Sequence, residues 1–548
     1  MRRPSSLLMA AALGLCTFAA MSQTTTPTPE AEDPYLWLED VQGDRALAWV
    51  RERNAESQQR LEARPEFAPI QADMLAVLNS KERIPNITRR GDWFYNLWQD
   101  AENPRGLWRR TTLAEYRKAK PAWDTVLDLD ALGRAEQENW VWGGATCLAT
   151  EPQRCLVALS RGGADATVVR EFDTTRKAFV DGGFTLPEAE SRVDWLDRDT
   201  VYVGTDFGPG SLTDSGYPRV IKRWKRGTPL GEASTVFEGQ AQDVSVDASV
   251  DLTPGHRRTL ITRALDFYRQ ASFLLEGDRL VPLDIPADAT PQFWNRAGSA
   301  HSTLLIELRS AWDVAGRTYP SGALLAADTR AYLRGERRFT VLFEPTATRS
   351  LDGYTTTRTH VILSVLDNVT STLVEWRRTP RGYVQRRVEA PSPGTLHVQS
   401  LADPMQKRDA LGESYLVSYT DFLTPDTLLL GRTGSDRREK LKARPSFFDA
   451  DGMRAEQHFA TSKDGTRVPY FIVWPKGVDA TRPADGSTPT LLYGYGGFQI
   501  SMQPTYSGGF GNAWLKRGGA FVMANIRGGG EYGPAWHQAA LKEHKQRS

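Results

Sequence analysis

The sequence is poor in cysteine, with three among 548 residues and only seven histidines. No C-x-x-C, H-E-x-x-H or clustered His/Cys spacing occurs, so neither a metal nor a cofactor is expected. An excess of either charge is also missing: 68 Lys and Arg face 67 Asp and Glu, a net charge of +1. The basic footprint of a nucleic-acid binder is therefore lacking, and nucleic acid is not an expected partner. The N-terminal apolar run, Leu7 to Ala20, has 14 residues, too few to span a bilayer comfortably. What is present is 40% apolar and 10% aromatic, the profile of a chain with large buried cores.

Met1-Arg2-Arg3, that apolar run and the small residues near Ala20 read as a secretory signal over residues 1–22, with a Thr/Pro linker over 23–34. The bulky Leu15 before Cys16 speaks against lipidation, so no membrane partner is expected after cleavage. The protein is expected to be periplasmic or secreted, and monomeric. Cys147 and Cys155 flank a polar turn in ATCLATEPQRCLVAL. Two readings stay open for them, a disulfide across a hairpin or two buried free thiols.

Helical periodicity marks Ala46, Trp49 and Val50, then Ile70, Met74, Val77 and Leu78. After Ser80 short β-rich runs take over: Trp93 to Trp98, Leu156 to Ser160, Val201 to Thr205, Leu260 to Ala264, Leu304 to Leu308, His360 to Val365 and Tyr415 to Thr420. They recur about every 54 residues, which suggests seven propeller blades over 85–445, with a stacked β-sandwich as the alternative. Charged pairs such as Arg337-Arg338 and Arg377-Arg378 read as solvated edges. Past residue 446 an Asp-Gly hairpin (Asp464-Gly465) is followed by strands alternating with helices, read as a parallel α/β sheet.

Two Gly-rich loops, YGYGGF (Tyr493 to Phe498) and IRGGGEYG (Ile526 to Gly533), each follow an apolar strand, where backbone amides can face a developing oxyanion. Neither carries the Gly-Lys-Ser/Thr of a phosphate-binding loop, and neither is read as a nucleotide site. Together with DPYLWLED (Asp33 to Asp40) and SRGGAD (Ser160 to Asp165), in this order, they make the chain resemble the prolyl oligopeptidase family of serine peptidases. The resemblance implies a mixed β and α/β fold. A seven-bladed β-propeller is followed by the N-terminal part of an α/β-hydrolase domain over 446–548, and a helical segment, 35–84, packs on that domain. It also implies that the Tyr495 hydroxyl helps form the oxyanion hole and that Phe498 borders the pocket for a proline ring. Short proline-containing peptides are the implied partners.

The chemistry of that family is acyl transfer by a serine held in a G-x-S-x-G elbow, with Asp and His following in the chain. No G-x-S-x-G occurs in the 548 residues, and all three triad positions are expected beyond Ser548. His537 and His544 read as residues on a solvated helix face. The chain alone is expected to be inactive, and a non-catalytic peptide- or protein-binding propeller is the alternative function.

Overall fold

The computed structural model describes residues 33–479 and 485–548, so the expected signal and nearly all of the linker lie outside the described residues. The described residues divide into two compact units between Pro69 and Ile70. In the first, a 3-10 turn, Leu36–Glu39, precedes the helix Asp44–Glu62. The Trp37 and Trp49 rings meet edge-on at 6.3 Å, and the Arg45 guanidinium lies 4.1 Å over Trp37. A second helix, Phe67–Leu78, carries Pro69 in its first turn, where a missing N–H costs no hydrogen bond. Within the second unit, Asp73 of this helix pairs with Arg517 at 3.4 Å and Lys516 at 3.7 Å.

Seven antiparallel sheets of four or five strands follow one another between Thr88 and Ala443, with a two-stranded ribbon, Trp312–Val314 and Arg317–Tyr319, inserted between the second and third strands of the fifth. Six have four strands; the second has five, its last strand, Thr185–Ala189, pairing with its third. All seven β-rich runs recognised in the sequence fall on the second strand of a sheet. That strand is hydrogen-bonded along both edges and has a neighbouring sheet on each face, which favours a run rich in apolar residues. His360–Asp367, for example, is buried at every residue but the last.

Alternation of side chains along these strands distributes the core. Val157 packs with Trp108 of the first sheet, while its neighbour Leu156 packs with Trp195 and Val201 of the third. Tyr202 and Ile221 join Val246 and Ile261 of the fourth sheet. Leu304 faces Leu283, just past the fourth sheet, whereas Leu305 faces Val361 and Leu363 of the sixth. Ile362 meets Tyr415 of the seventh, and Leu416 of the seventh meets Phe94 of the first. Each sheet thus shares a core with two neighbours, and the last with the first. A two-sheet sandwich gives each sheet one buried face, so the sandwich alternative is set aside.

Buried charges tie neighbouring sheets together. The wholly buried Glu171 carboxylate takes Arg154 of its own sheet at 2.8 Å and Arg226 of the third sheet at 2.7 and 3.1 Å. Glu375 of the sixth sheet accepts from Arg386 at 3.0 Å and from the Gly434 amide of the seventh at 2.9 Å. Arg89 and Asp409, 2.9 Å apart, link the first sheet to the seventh.

The C-terminal sheet has the strand order Arg454–Thr461, Arg467–Trp474, Ala520–Ala524, Thr490–Gly494. The Asp-Gly hairpin pairs antiparallel and the two strands after it run parallel, both as expected, while Arg467–Trp474 joins Ala520–Ala524 antiparallel, which the sequence reading did not foresee. The short turn between Thr461 and Arg467 can only return the chain antiparallel. Thr490–Gly494 and Ala520–Ala524 are joined by a long crossover containing the helix Gly508–Ala513. Thr490–Gly494 lies at the sheet edge and is exposed along its whole length.

Candidate functional site

Tyr493–Phe498 leaves the carboxyl end of the exposed edge strand, and Arg527–Gly533 leaves the carboxyl end of its parallel neighbour. The loops meet at backbone distance. Gly528 has φ +100, and a Cβ there would lie 2.2 Å from the Gly496 carbonyl; at Gly530 it would lie 2.1 Å from the Gln499 carbonyl. Only glycine permits this approach. Gly528, Gly530 and Gly533 do stand at G-x-G-x-x-G spacing, but the backbone of 496–499 occupies the place where a pyrophosphate would approach. The loops are stitched further by Lys545, whose ammonium donates to the Gly496 carbonyl at 2.8 Å. Buried Glu531 accepts from the Met502 amide at 2.9 Å and from Asn525 at 3.2 Å. Burial pushes its carboxyl up from the ordinary range, against those hydrogen bonds.

Arg527, at the start of the second loop, is itself buried and grips the Asp-Gly hairpin turn. It donates to the Ser462 hydroxyl at 3.0 Å and the Thr466 hydroxyl at 3.1 Å, and pairs with Asp464. The hydrogen bond from Arg527 leads the causes that hold the Asp464 carboxyl well below its usual range.

Tyr495 is 42% exposed, and its hydroxyl has no hydrogen-bond partner among the described residues. Phe498, at φ +50, and Gln499, at φ +60, occupy the left-handed region, where a bulky residue is strained. Such strain persists where surrounding structure imposes it, commonly at ligand-contacting loops. Phe498 remains 60% exposed, with its ring 5.4 Å from Phe267 in the turn between the second and third strands of the fourth sheet.

The next residue in that turn, Tyr268, overturns the solvated reading of His537. The histidine is buried, with Nδ1 2.6 Å from the Gly528 carbonyl and Nε2 3.2 Å from the Tyr268 hydroxyl. The Gln499 amide also donates towards Nδ1 at 3.0 Å, so the two Nδ1 contacts call for opposite tautomers, and the Tyr268 hydroxyl can partner Nε2 in either. Burial leads the causes that lower the His537 pKa, so the neutral form is favoured. The Arg309 guanidinium lies 3.6 Å over the Tyr268 ring and donates to the Gln499 side chain. None of these partners is near His537 in sequence, and no local motif announces them. His544, by contrast, is exposed.

Cys147 and Cys155 stand opposite each other across the first strand pair of the second sheet, and their sulfurs are bonded. Among the described residues no group of three or more His, Cys, Asp or Glu could hold a metal ion. No helix among them is long and apolar enough to cross a membrane.

Comparison with known proteins connects these loops to the sheets that precede them. Residues 20–444 match the family model described as the prolyl oligopeptidase N-terminal β-propeller domain. The chain is 39% identical over 565 aligned residues to the uncharacterized peptidase y4nA of Sinorhizobium fredii, covering 99% of this chain and 76% of that one. The chain belongs to the prolyl oligopeptidase family. Within it, a prolyl endopeptidase of Elizabethkingia miricola is 26% identical over 546 residues, 94% of this chain and 68% of that relative. The solved structure of a post-proline cleaving enzyme from Rickettsia typhi superposes with a TM-score of 0.82 at 29% identity, covering 93% of this chain and 74% of that one. The sheets between Thr88 and Ala443 are thus the region matched by the family's propeller domain, and both Gly-rich loops lie C-terminal to it.

Proposed function

We propose that the seven sheets are the blades of one propeller and that 446–548 is the opening part of an α/β-hydrolase domain, together holding short proline-containing peptides. Cores shared between successive sheets and between the last and the first support the propeller reading. The parallel strand pair with Gly-rich loops at its carboxyl end supports the second. In acyl transfer after proline, Tyr495 donates to the tetrahedral oxygen and Phe498, beside Phe267, offers an aromatic face to the prolyl ring. The observation that carries this reading is the hydroxyl of exposed Tyr495, without a partner among the described residues, in a loop whose backbone is held by Gly528 and Lys545.

No G-x-S-x-G occurs in the 548 residues, and for these residues by themselves we propose peptide binding without an acyl-enzyme. Peptide binding without turnover is therefore the activity assigned to this chain, as a monomer in the periplasm or outside the cell. Calorimetric titration with an N-blocked Gly-Pro peptide amide tests it. Saturable binding that Phe498→Ala weakens, with no labelling by a serine-reactive phosphonate, is expected. Phosphonate labelling of one serine, or no binding at all, overturns the reading.

A further inference from the structure

A second pocket lies at the junction of the fifth and sixth sheets, independent of the Gly-rich loops. Its volume is about 310 Å³. Its walls come from the connection between the first two strands of the fifth sheet, the corresponding connection of the sixth, and the hairpin joining the sixth sheet's third and fourth strands. Arg296, Arg358, Arg378 and His301 line it, and no carboxylate does.

Those cations are poorly matched by the protein. Arg296 has no ion-pair or hydrogen-bond partner for its side chain among the described residues. Arg378 donates to the Thr303 hydroxyl at 3.1 Å, while its carboxylate neighbour Asp328 is 3.9 Å away. Arg358 lies 3.6 Å from Glu413 without a hydrogen bond, and its Nε is buried with no partner. Glu413 is occupied elsewhere. It accepts from the hydroxyls of Thr357 at 3.0 Å, Thr359 at 2.7 Å and Thr433 at 2.8 Å, and its Oε2 lies 3.3 Å from His360 Nδ1.

Two further features describe the ligand rather than its charge. Asn295 donates through its amide nitrogen to Asp251, which leaves Oδ1 as an acceptor that is buried and unused. The Trp294 indole and the Pro380 ring supply apolar wall.

We propose that this pocket binds a small organic carboxylate that also carries an amide N–H, such as the C-terminal residue of a peptide or an N-acylated amino acid. The arginine forks take the carboxylate, which suits their planar donor geometry. Asn295 Oδ1 accepts the N–H, and the side chain lies against Trp294 and Pro380. A bare inorganic anion would use only the first of these.

Calorimetric titration of the full chain at low salt with N-acetyl-leucine, N-acetyl-leucinamide and inorganic phosphate tests the assignment. Saturable binding of N-acetyl-leucine is expected, with the amide and phosphate each weaker by about tenfold or more, the scale of one lost charge-assisted contact. Arg296→Met and Arg358→Met should each weaken N-acetyl-leucine binding by a similar factor. Arg338→Met, on the exposed surface, should leave it unchanged. Arg296→Met removes no hydrogen bond or ion pair among the described residues, so it carries the test if Arg358→Met lowers the melting temperature. Equal affinity for acid and amide, phosphate binding as tightly as N-acetyl-leucine, or unchanged affinity in folded Arg296→Met overturns the proposal.

Discussion

Replacing Glu171 with alanine should lower stability by breaking the tie between the second and third sheets. The carboxylate is wholly buried and accepts from Arg154 at 2.8 Å, from Arg226 at 2.7 and 3.1 Å, and from the Phe184 amide at 3.0 Å. Removing one partner of a buried ion pair typically costs about 3–5 kcal/mol, because the other charge is left uncompensated. Here each arginine keeps a second carboxylate, Glu151 at 3.2 Å for Arg154 and Asp199 at 2.9 Å for Arg226. That reduces the expected loss to about 2–3 kcal/mol. With an unfolding entropy of about 2 cal/mol/K per residue, a unit spanning 88–443 would melt about 3–4 °C lower. Differential scanning calorimetry measures the shift, and Glu171→Gln, which keeps an acceptor in place, should lose about half as much. A melting temperature unchanged in Glu171→Ala would refute the argument that this carboxylate joins the sheets.

Four further outcomes are expected. Gly528→Ala places a methyl group against the Gly496 carbonyl at positive φ, so it should cost about 2 kcal/mol or more and raise hydrogen exchange in 494–500, with exchange unchanged elsewhere. Burial alone would raise the Glu413 pKa, but hydrogen bonds from His360, Thr359, Thr433 and Thr357 outweigh it and hold the group at about 2. A depressed folded-state pKa stabilises above the unfolded value and is lost as pH falls from about 4.5 towards 2. Glu413→Gln should therefore flatten acid unfolding in that window by about 3 kcal/mol. Reducing the Cys147–Cys155 bond, which closes a short loop, should destabilise by about 2–3 kcal/mol, and thiol labelling of the unreduced chain should modify neither Cys147 nor Cys155. Tyr268→Phe should leave His537 buried and remove one hydrogen bond, costing about 1 kcal/mol in chemical denaturation.

The repeat was visible in sequence because each sheet's second strand is paired along both edges and has a neighbouring sheet on each face, a place that a run rich in apolar residues suits. His360 to Val365 illustrates it. Outer strands such as Gly382–Val388, with four exposed positions, read as ordinary polar segments and could not be counted. The Gly-rich loops were legible from their glycines and aromatics, yet the reason for Gly528 and Gly530, contact with Gly496 and Gln499, is tertiary. His537 was misread because its burial depends on Tyr268, 269 positions earlier. Arg378 looked like half of a solvated pair, whereas the fold turns it into a pocket with Arg296 and Arg358.

Binding of proline-containing peptides without cleavage is what we propose for these 548 residues. Mass-spectrometric quantification of an N-blocked Gly-Pro peptide amide, incubated with the purified 548-residue chain, tests it most directly. Intact peptide with no acyl or hydrolysis product is the predicted result. Product that accumulates with time and is lost in Tyr495→Phe would contradict the account.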